Sequence, residues 1–316
     1  LALTPADHCL NIMPLFHIHG LIAVVLSSIK AGASVCCTPG FNALKFFDLA
    51  VAEKPTWYSG VPTMHQTILL RAKRNPEALS QVKFRFVRSS SASLPPAVFN
   101  ELVETFGCPV IEAYGMTEAT HQMASNPLPP GKQKPGFVGL PAGPEICILD
   151  MGGKKQPAGT VGEVCIRGAN VTPGYENNEK ANAESFTDGW FRTGDQGYLD
   201  DEGYLKITGR IKEIINRGGE KVSPLEVDDV FMEHPGIQQI VTFAMPHKML
   251  GEEVAAAVVL VEGATVTEKD LKEYAADLLA PFKIPKKFVF LDEIPKGATG
   301  KMQRIGLAKK LGLGEA

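Results

Sequence analysis

The sequence lacks the features that mark secreted, membrane-spanning and nucleic-acid-binding proteins. Its six cysteines form no CxxC pair and have no matching His spacing, which argues against a zinc site and favours a reducing compartment. No apolar run reaches the ~18 residues that cross a bilayer. A formal net charge of −3 gives the whole chain no attraction for a phosphate backbone. We therefore expect neither a membrane span nor a nucleic-acid partner.

Address signals are also lacking. The sequence begins LALTPADHCL, without a start Met, a basic leader or a secretory cleavage site, which is typical of the middle of a polypeptide. Its last residues, GLGEA, match no carboxy-terminal address signal. We expect a cytoplasmic protein, with a peroxisomal location left open.

The pattern along the chain predicts an α/β protein. With 316 residues, 44% of them hydrophobic, the chain has enough apolar material for two domains. The first third alternates helices and short strands, with helices predicted at 21–31, 43–53 and 95–106 and strands at 33–38, 84–88 and 110–113. This alternation is typical of a layered α/β domain.

The composition changes in the second half. Between 127 and 204, Gly and Pro bound short β-rich runs such as EICILD and VGEVCIRG, which predicts an antiparallel β subdomain. Beyond 210, the strands QQIVTFAMP and VAAAVVLVE accompany predicted helices at 224–233 and 268–279. We therefore predict a large-domain portion at 1–210 and a small α+β domain at 211–316.

The first cluster of polar residues is YGMTEATH, residues 114–121, directly after a predicted strand. Ligands bind at the ends of strands in α/β sheets. Tyr114 could stack on a base, Thr117 could bond a phosphate oxygen and Glu118 could hold Mg²⁺ beside that phosphate. The alternative is an ordinary strand-to-helix turn with a capping Thr.

The second cluster, residues 189–224, places charged side chains among glycines, which let a backbone approach a ligand closely. Its charged members include Asp195, Arg210, Lys212, Arg217, Glu220 and Lys221. An Asp that accepts from ribose hydroxyls and an Arg that donates to the same sugar would suit AMP recognition. The alternative is a solvated β-hairpin, which is our interpretation of Asp200, Asp201 and Glu202.

The third cluster is IPKGATGKMQR, residues 294–304, with Lys301 after Gly300. It lacks the GxxxxGK[ST] spacing of a phosphate-binding Walker loop. Taken alone, Lys301 fits an ordinary surface lysine.

Together and in this order, the three clusters resemble the adenylate-forming superfamily of acyl-CoA synthetases, 4-coumarate ligases, luciferases and peptide-synthetase adenylation domains. The resemblance covers essentially the whole chain. Within that superfamily it is most similar to the oxalate:CoA ligases of plants and fungi. The segments that carry this likeness are MPLFHIHGL, WYSGVPTMHQ, RSSSASL, AYGMTEATHQMASNPLP, VGEVCIRGANVTPGY and GRIKEIINRGGEKVSP.

The resemblance implies ATP, Mg²⁺ and coenzyme A as ligands. It implies Tyr114 on adenine, Thr117 on the α-phosphate and Glu118 on Mg²⁺. Asp195 and Arg210 would hold the ribose. The same likeness assigns Ser93, Glu112 and Ala113 to nucleotide binding.

The resemblance also gives the small domain a mobile role. Lys301 would be a catalytic lysine between the α-phosphate and the substrate carboxylate, where it stabilises growing negative charge. Lys212 matches the hinge about which this lid domain swings between two half-reactions. Gly218, Gly219 and Glu220 would line the path of the pantetheine arm.

Three polar residues match the positions that surround the acid, namely His17, Ser91 and His121. An apolar acid would need an apolar pocket, whereas the second carboxylate of oxalate needs hydrogen-bond donors. The pattern therefore favours oxalate, although His17 could merely close the pocket. We interpret His19 and His65 as structural.

Two alternatives stay open. A medium-chain fatty acid or a 4-coumarate-like aromatic could be the substrate of the same fold. The family's Ser/Thr/Gly-rich phosphate loop, which precedes PLFHIHG, is not in this sequence, so an inactive fragment or binding module is the alternative of another class. For the same reason we expect these 316 residues alone to be weakly active or inactive.

Overall fold

The computed structural model describes residues 1–297 and 301–314. The chain divides into two compact units. The first comprises Leu1–Thr193 with Gly197–Ile207, and the second comprises Gly194–Gln196 with Thr208–Ala316.

A mostly parallel sheet organises the first half of the first unit. Its strand order is β2-β1-β3-β4-β5-β6-β7, with parallel pairing from β2 to β5 and antiparallel pairing from β5 to β7. The strands are β1 (His8–Asn11), β2 (Ser34–Cys37), β3 (Trp57–Gly60), β4 (Phe86–Ser90), β5 (Val110–Tyr114), β6 (Ala124–Ser125) and β7 (Leu140–Pro141). Residues of β3 and β4 are buried throughout, as expected of parallel strands covered on both faces.

Helices connect these strands. A π-helical segment, His19–Leu26, runs directly into α1 (Ser27–Lys30). The others are α2 (Phe46–Glu53), α3 (Pro62–Ala72), α4 (Pro76–Gln81) and α5 (Pro96–Phe106). Proline opens three of them, where its missing N–H costs no hydrogen bond.

A second sheet follows, in the order β10-β11-β9-β8 with β12 paired to β11. Its elements are β8 (Glu145–Leu149), β9 (Gly162–Arg167), α6 (Glu179–Ser185), β10 (Phe186–Thr187), β11 (Trp190–Leu199) and β12 (Leu205–Arg210). The pairs β8–β9 and β10–β11 are antiparallel, which agrees with the predicted antiparallel subdomain.

The second unit has its own sheet and its own apolar core. The strand order is β14-β13-β16-β15, with β17 parallel to β16. The elements are β13 (Ile215–Arg217), β14 (Glu220–Val222), α7 (Pro224–Met232), β15 (Ile237–His247), β16 (Gly251–Leu260), α8 (Glu268–Ala275), β17 (Lys287–Phe290) and α9 (Leu307–Lys310). Phe231 of α7, Leu271 of α8 and Phe288 of β17 pack into one buried cluster against the sheet.

The predicted fold class is confirmed, but several boundaries were wrong. The helix predicted at 43–53 begins at Phe46, because the N–H groups of Leu44 and Lys45 bond to Asn42 Oδ1 in a turn. The helix predicted at 268–279 ends at Ala275, because the N–H groups of Leu278 and Leu279 both turn back to the carbonyl of Ala275 ahead of Pro281. The strand predicted at 84–88 lies at 86–90, because its Ser residues pair with strands on both sides instead of forming a turn. Within the described ranges, no helix is long and apolar enough to cross a membrane.

Candidate active site

The loop after β5 presents the predicted nucleotide-binding residues. Tyr114 is the last residue of β5, and the short 3₁₀ helix Thr117–Ala119 follows two residues later. Thr117 is exposed and Glu118 is partly exposed. The residue that caps this short helix is Met116, with no side-chain capping bond, so the alternative of a capping Thr117 does not hold.

Close backbone packing fixes the course of this loop. A Cβ at Gly115 would lie 1.3 Å from the carbonyl oxygen of His121, so only glycine fits there. Thr120 and His121 both have left-handed backbone, with φ of +50° and +77°. The side chain of Asn170 donates to the carbonyls of Ala119 and Gln122, at 2.8 and 2.9 Å. Left-handed non-glycine residues of this kind concentrate at functional sites.

Glu118 is oriented by Tyr175, which was not predicted as a site residue from the sequence. The Tyr175 hydroxyl donates to Glu118 Oε1 at 3.0 Å. Burial, and then this bond, raise the pKa of Tyr175, so the phenol stays a donor at neutral pH. Tyr175 closes the segment VTPGY, and its position in that motif was the signal that could have identified it.

The described residues contain no cluster of three or more His, Cys, Asp or Glu side chains able to hold a metal ion. Mg²⁺, however, is commonly held by one or two carboxylates together with substrate phosphates. The partly exposed Glu118 fits that arrangement.

The three predicted acid-binding residues follow the carboxyl ends of three parallel strands. His17 follows β1, Ser91 follows β4, and His121 follows β5. In such sheets this edge is where ligands bind. Ser91 shares the left-handed backbone of His121, with φ of +75°.

His19 links these three residues. Its Nδ1 lies 3.0 Å from Ser91 Oγ, its ring centroid lies 5.5 Å from that of His121, and its backbone N–H donates to His17 Nδ1 at 3.2 Å. His19 is fully buried, which agrees with the structural role predicted for it. His65 is also fully buried, and its Nδ1 lies 3.0 Å from the hydroxyl of Tyr58.

Arg88 and Gln122 also border this region, and neither was predicted as a site residue from the sequence. Arg88 lies on β4 with only 1% exposure, and it donates to Ser59 Oγ at 3.3 Å and to Gln122 Oε1 at 3.2 Å. The signal available in the sequence was an arginine at the end of FRFVR, a segment whose Phe and Val residues predict a strand.

Glu112 and Ala113, which the resemblance assigns to nucleotide binding, form hydrogen bonds that hold the backbone beside the loop after β5. Glu112 is 1% exposed, and its Oε1 accepts from the backbone N–H of Leu94 at 3.0 Å, which ties β5 to the loop that contains Ser91 and Ser93. Ala113 is buried, and its carbonyl accepts from Ser90 Oγ at 2.9 Å. Ser93 is partly exposed.

In the second unit, the structure brings the predicted ribose pair together. Arg210 Nε donates to Asp195 Oδ1 at 2.9 Å. The aspartate is 5% exposed, whereas the arginine is exposed. An arginine with further donors beside a buried carboxylate is suited to a ligand rich in hydroxyl oxygens.

Lys301 lies in the electrostatic field of this pair. Burial lowers its pKa, the positive charge of Arg210 lowers it further, and Asp195 partly offsets both. Residues 298–300 of the third cluster lie outside the described residues. On either side of them, an antiparallel bridge joins Lys296 to Met302, and the Gly297 N–H donates to the Lys301 carbonyl at 2.8 Å.

The predicted hinge and pantetheine residues are exposed. Lys212 lies in the 3₁₀ turn Ile211–Glu213. Gly218 and Gly219 form the turn between β13 and β14, with φ of +59° and +101°, and Glu220 opens β14. A Cβ at Gly219 would meet no atom within 4 Å, so this turn is open on that side.

Comparisons with known proteins identify the family of this chain. Residues 1–176 match a family described as AMP-binding enzyme, and residues 226–301 match one described as AMP-binding enzyme C-terminal domain.

Two curated relatives are named oxalate–CoA ligase. The one from Arabidopsis thaliana is 52% identical over 96% of this chain and 59% of its own length, and the one from Saccharomyces cerevisiae is 51% identical over 97% and 56%. The structure is also similar to ATP-bound MatB from Rhodopseudomonas palustris, with a TM-score of 0.89 and 34% identity, over 97% of this chain and 60% of that one. The chain thus spans less than two thirds of the length of each of these proteins.

Proposed function

Because this chain belongs to the AMP-binding enzyme family, we propose that it serves an ATP-dependent acid:coenzyme A ligase and that the acid is oxalate. The observation that carries the choice of acid is the set of polar side chains, His17, Ser91 and His121, around the buried ring of His19 at one edge of the parallel sheet. The two relatives named oxalate–CoA ligase support the same choice.

The proposed reaction has two half-reactions. A carboxylate oxygen attacks the α-phosphorus of ATP, pyrophosphate leaves and an acyl-AMP forms. The sulfur of coenzyme A then attacks the acyl carbon and AMP leaves, which gives the acyl-CoA. Catalysis of the first step requires alignment of two anions and stabilisation of the charge that grows between them.

We assign the nucleotide contacts of the first unit to the loop after β5. Tyr114 would stack on adenine and Thr117 would donate to an α-phosphate oxygen. Glu118, with one carboxylate oxygen fixed by Tyr175, would hold Mg²⁺, which supplies positive charge to the phosphates when bound. Glu112, Ala113 and Ser93 shape the backbone beside this loop.

We assign the ribose and the growing charge to residues of the second unit. The buried carboxylate of Asp195 would accept from the ribose hydroxyls, and Arg210 would donate to the same sugar. Lys301 would donate to the α-phosphate and to the acid, and we expect Lys301→Ala to slow acyl-AMP formation by roughly 10²- to 10³-fold. Lys212 would act as the hinge of the small domain, and Gly218, Gly219 and Glu220 would border the pantetheine arm.

The polar surroundings favour a short dianion over an apolar acid. An alkyl chain placed against the partly exposed His17 and Ser91 would desolvate their polar groups without compensation, and it offers no acceptor to the buried ring of His121. A second carboxylate offers acceptors to the same groups. A medium-chain fatty acid or a coumarate-like acid is therefore disfavoured.

The test is acid-dependent exchange of pyrophosphate into ATP by the full-length protein. Oxalate, malonate, hexanoate and 4-coumarate are compared at equal concentration, and we expect oxalate to give the strongest signal. The variant His121→Asn tests the side chain of residue 121 without straining the backbone, because Asn tolerates the left-handed conformation there. We expect this variant to raise the KM for oxalate and to leave the KM for ATP nearly unchanged.

Two results would count against the proposal in different ways. A stronger signal with hexanoate or 4-coumarate would overturn the choice of oxalate and leave the ligase activity in place. Absence of exchange with every acid, in a protein that is folded and binds ATP, would overturn the activity itself.

A further inference from the structure

A buried arginine without an acidic partner lies beneath the acid-binding residues. Arg88 is 1% exposed and contacts neutral groups only, namely Ser59 Oγ at 3.3 Å, His19 Nε2 at 3.4 Å and Gln122 Oε1 at 3.2 Å. Among the described residues, no carboxylate forms an ion pair with it. Burial lowers its pKa to about 10, so it remains charged at neutral pH. Such a charge is costly to bury unless neighbouring groups are oriented to compensate it.

Arg88 is the first member of a series of hydrogen bonds, and the register of β3 and β4 places it beside the second member. Ser59 of β3 is its direct partner across the β3–β4 pair. Ser59 Oγ lies 2.6 Å from His19 Nε2, and His19 Nδ1 lies 3.0 Å from Ser91 Oγ. The contacts therefore lead from Arg88 through Ser59 and His19 to Ser91.

Arg88 determines which partner donates and which accepts in each hydrogen bond of this series. A guanidinium has donors and no acceptor, so Ser59 Oγ accepts from Arg88 and its own hydrogen is available for His19 Nε2. Burial, and then the charge of Arg88, hold the pKa of His19 well below its ordinary value, so its ring is neutral. A neutral imidazole that accepts at Nε2 carries its proton on Nδ1. His19 thus donates to Ser91.

We propose that Arg88, Ser59 and His19 are positioning residues that fix the hydroxyl of Ser91 as a donor toward an anionic acid substrate. Each hydrogen bond in this series points away from Arg88. Because Ser91 Oγ already accepts from His19, its hydrogen is directed to another acceptor. The inference rests on the proposed function, which makes the carboxylate of the acid that acceptor.

Two neighbouring side chains, those of His17 and Gln122, also accept a hydrogen bond at one end and keep a donor at the other. The backbone N–H of His19 donates to His17 Nδ1, which leaves the ring proton of His17 on Nε2. Arg88 donates to Gln122 Oε1, which leaves the amide NH₂ of Gln122 as the remaining donor end. The directions of these bonds leave Ser91 and Gln122 as donors, and an oxalate ion has acceptors only.

The first experiment determines the tautomer of His19 directly. In protein labelled with ¹⁵N at histidine, assigned by comparison with His19→Gln, we expect the His19 Nδ1 to show the shift of a protonated nitrogen and Nε2 that of an unprotonated one. A proton on Nε2 would overturn the relay, whatever the acid turns out to be. This measurement needs no turnover, so its failure is distinct from failure of the proposed function.

The second experiment removes the donor that sets the direction. We expect Arg88→Met to raise the KM for oxalate by roughly 10- to 100-fold, as loss of a bond to a charged group does, while the KM for ATP changes little. Arg88→Lys keeps a donor-only cation and should recover a large part of the affinity. A merely structural role would instead raise both KM values together and give no recovery with Lys.

Arg85→Met is the matched control, since this arginine lies three residues earlier in the same segment and binds Asp7 Oδ1 at 2.9 Å. It should lower stability and leave the KM for oxalate unchanged. An Arg88→Met protein that is folded and keeps the wild-type KM for oxalate would overturn the proposal.

Discussion

Ser91 carries its hydroxyl on a backbone conformation that a serine rarely adopts. Its φ of +75° lies in the left-handed region, which costs a non-glycine residue roughly 1–2 kcal/mol. Replacement by Gly or by Ala removes the same hydroxyl, but only Gly relieves the backbone. After allowance for the greater freedom of Gly in the unfolded chain, we expect Ser91→Gly to be more stable than Ser91→Ala by roughly 1 kcal/mol.

Urea denaturation of the two variants measures this difference, and the KM for oxalate in each provides the functional comparison. Both variants should lose affinity for oxalate to a similar extent. Equal stability of the two would mean that residue 91 is not strained.

Lys301 is expected to lose its charge at a lower pH than an ordinary lysine. Burial lowers its pKa from 10.5, Arg210 lowers it further and Asp195 opposes both. A lysine works as a cation below its pKa, so acyl-AMP formation should decline on the alkaline side earlier than for a solvated lysine. Removing the charge of Arg210 should move the pKa of Lys301 upward.

The direct measurement is ¹³C NMR of the protein with reductively methylated lysines, with Lys301→Arg used to assign the signal. We expect the Lys301 signal to titrate at higher pH in Arg210→Gln than in the wild type, and at lower pH in Asp195→Asn. No change in Arg210→Gln would refute the electrostatic coupling of these residues.

The loop after β5 depends on one glycine. At Gly115 an added Cβ would lie 1.3 Å from the His121 carbonyl oxygen, and that oxygen belongs to backbone that cannot rotate away. We expect Gly115→Ala to displace the Tyr114–His121 loop, to lower stability by several kcal/mol and to abolish acyl-AMP formation.

Gly107→Ala is the control for the loss of a glycine as such. Gly107 ends α5 with φ of +60°, but a Cβ there would meet nothing within 4 Å. Its cost should be limited to backbone strain of roughly 1–2 kcal/mol, with activity retained. Thermal unfolding and pyrophosphate exchange separate the two variants, and an active Gly115→Ala enzyme would contradict the expected displacement.

Helices and strands with a clear hydrophobic pattern were predicted well from the sequence. Short strands that contain polar residues were not. The strands at β15 and β16 were visible in the sequence because they are long and apolar. By contrast, β1 and β3 have four residues each and include Asn11 and Ser59, so local sequence gave no clear sign of strands. Both polar residues can be buried because they are hydrogen-bonded, Asn11 to the backbone of Met13 and Ser59 to His19 and Arg88.

A surrounding motif allowed the sequence to suggest polar residues of the candidate site, as for Tyr114, Glu118 and His121. The link between Ser59 and Arg88 could not be found in that way. These residues are 29 positions apart, and only the register of β3 and β4 makes them neighbours. His19 was interpreted from the sequence as structural and is indeed buried, but its bond to Ser91 depends on the same tertiary arrangement and could not be predicted.

At the scale of the molecule, acid should destabilise the first unit. An unfolded histidine takes up its proton near pH 6.5, whereas burial lowers the pKa of His65 to about 4. Between these values the unfolded state binds one more proton, so stability falls as the pH decreases from 6.5 toward 4. The full contribution of His65 is roughly 3 kcal/mol, and it is unaffected by pH above that window.

Urea denaturation at pH 7, 6 and 5 measures this dependence. We expect His65→Gln to show a shallower loss of stability with acid than the wild type. Tyr58→Phe removes the hydrogen bond at 3.0 Å between the same two residues but keeps the histidine, so it should retain the wild-type slope. Equal slopes for His65→Gln and the wild type would show that His65 does not titrate in this way.

The left-handed backbone at Ser91 and His121 limits which residues can be introduced at these two positions when the proposed acid selectivity is redesigned. Most side chains introduced at these two positions would carry the conformational penalty together with their new shape, and only Gly, Asn and Asp would largely avoid it. Gln122 lies beside them with ordinary backbone, so libraries that seek new acid selectivity should be concentrated there.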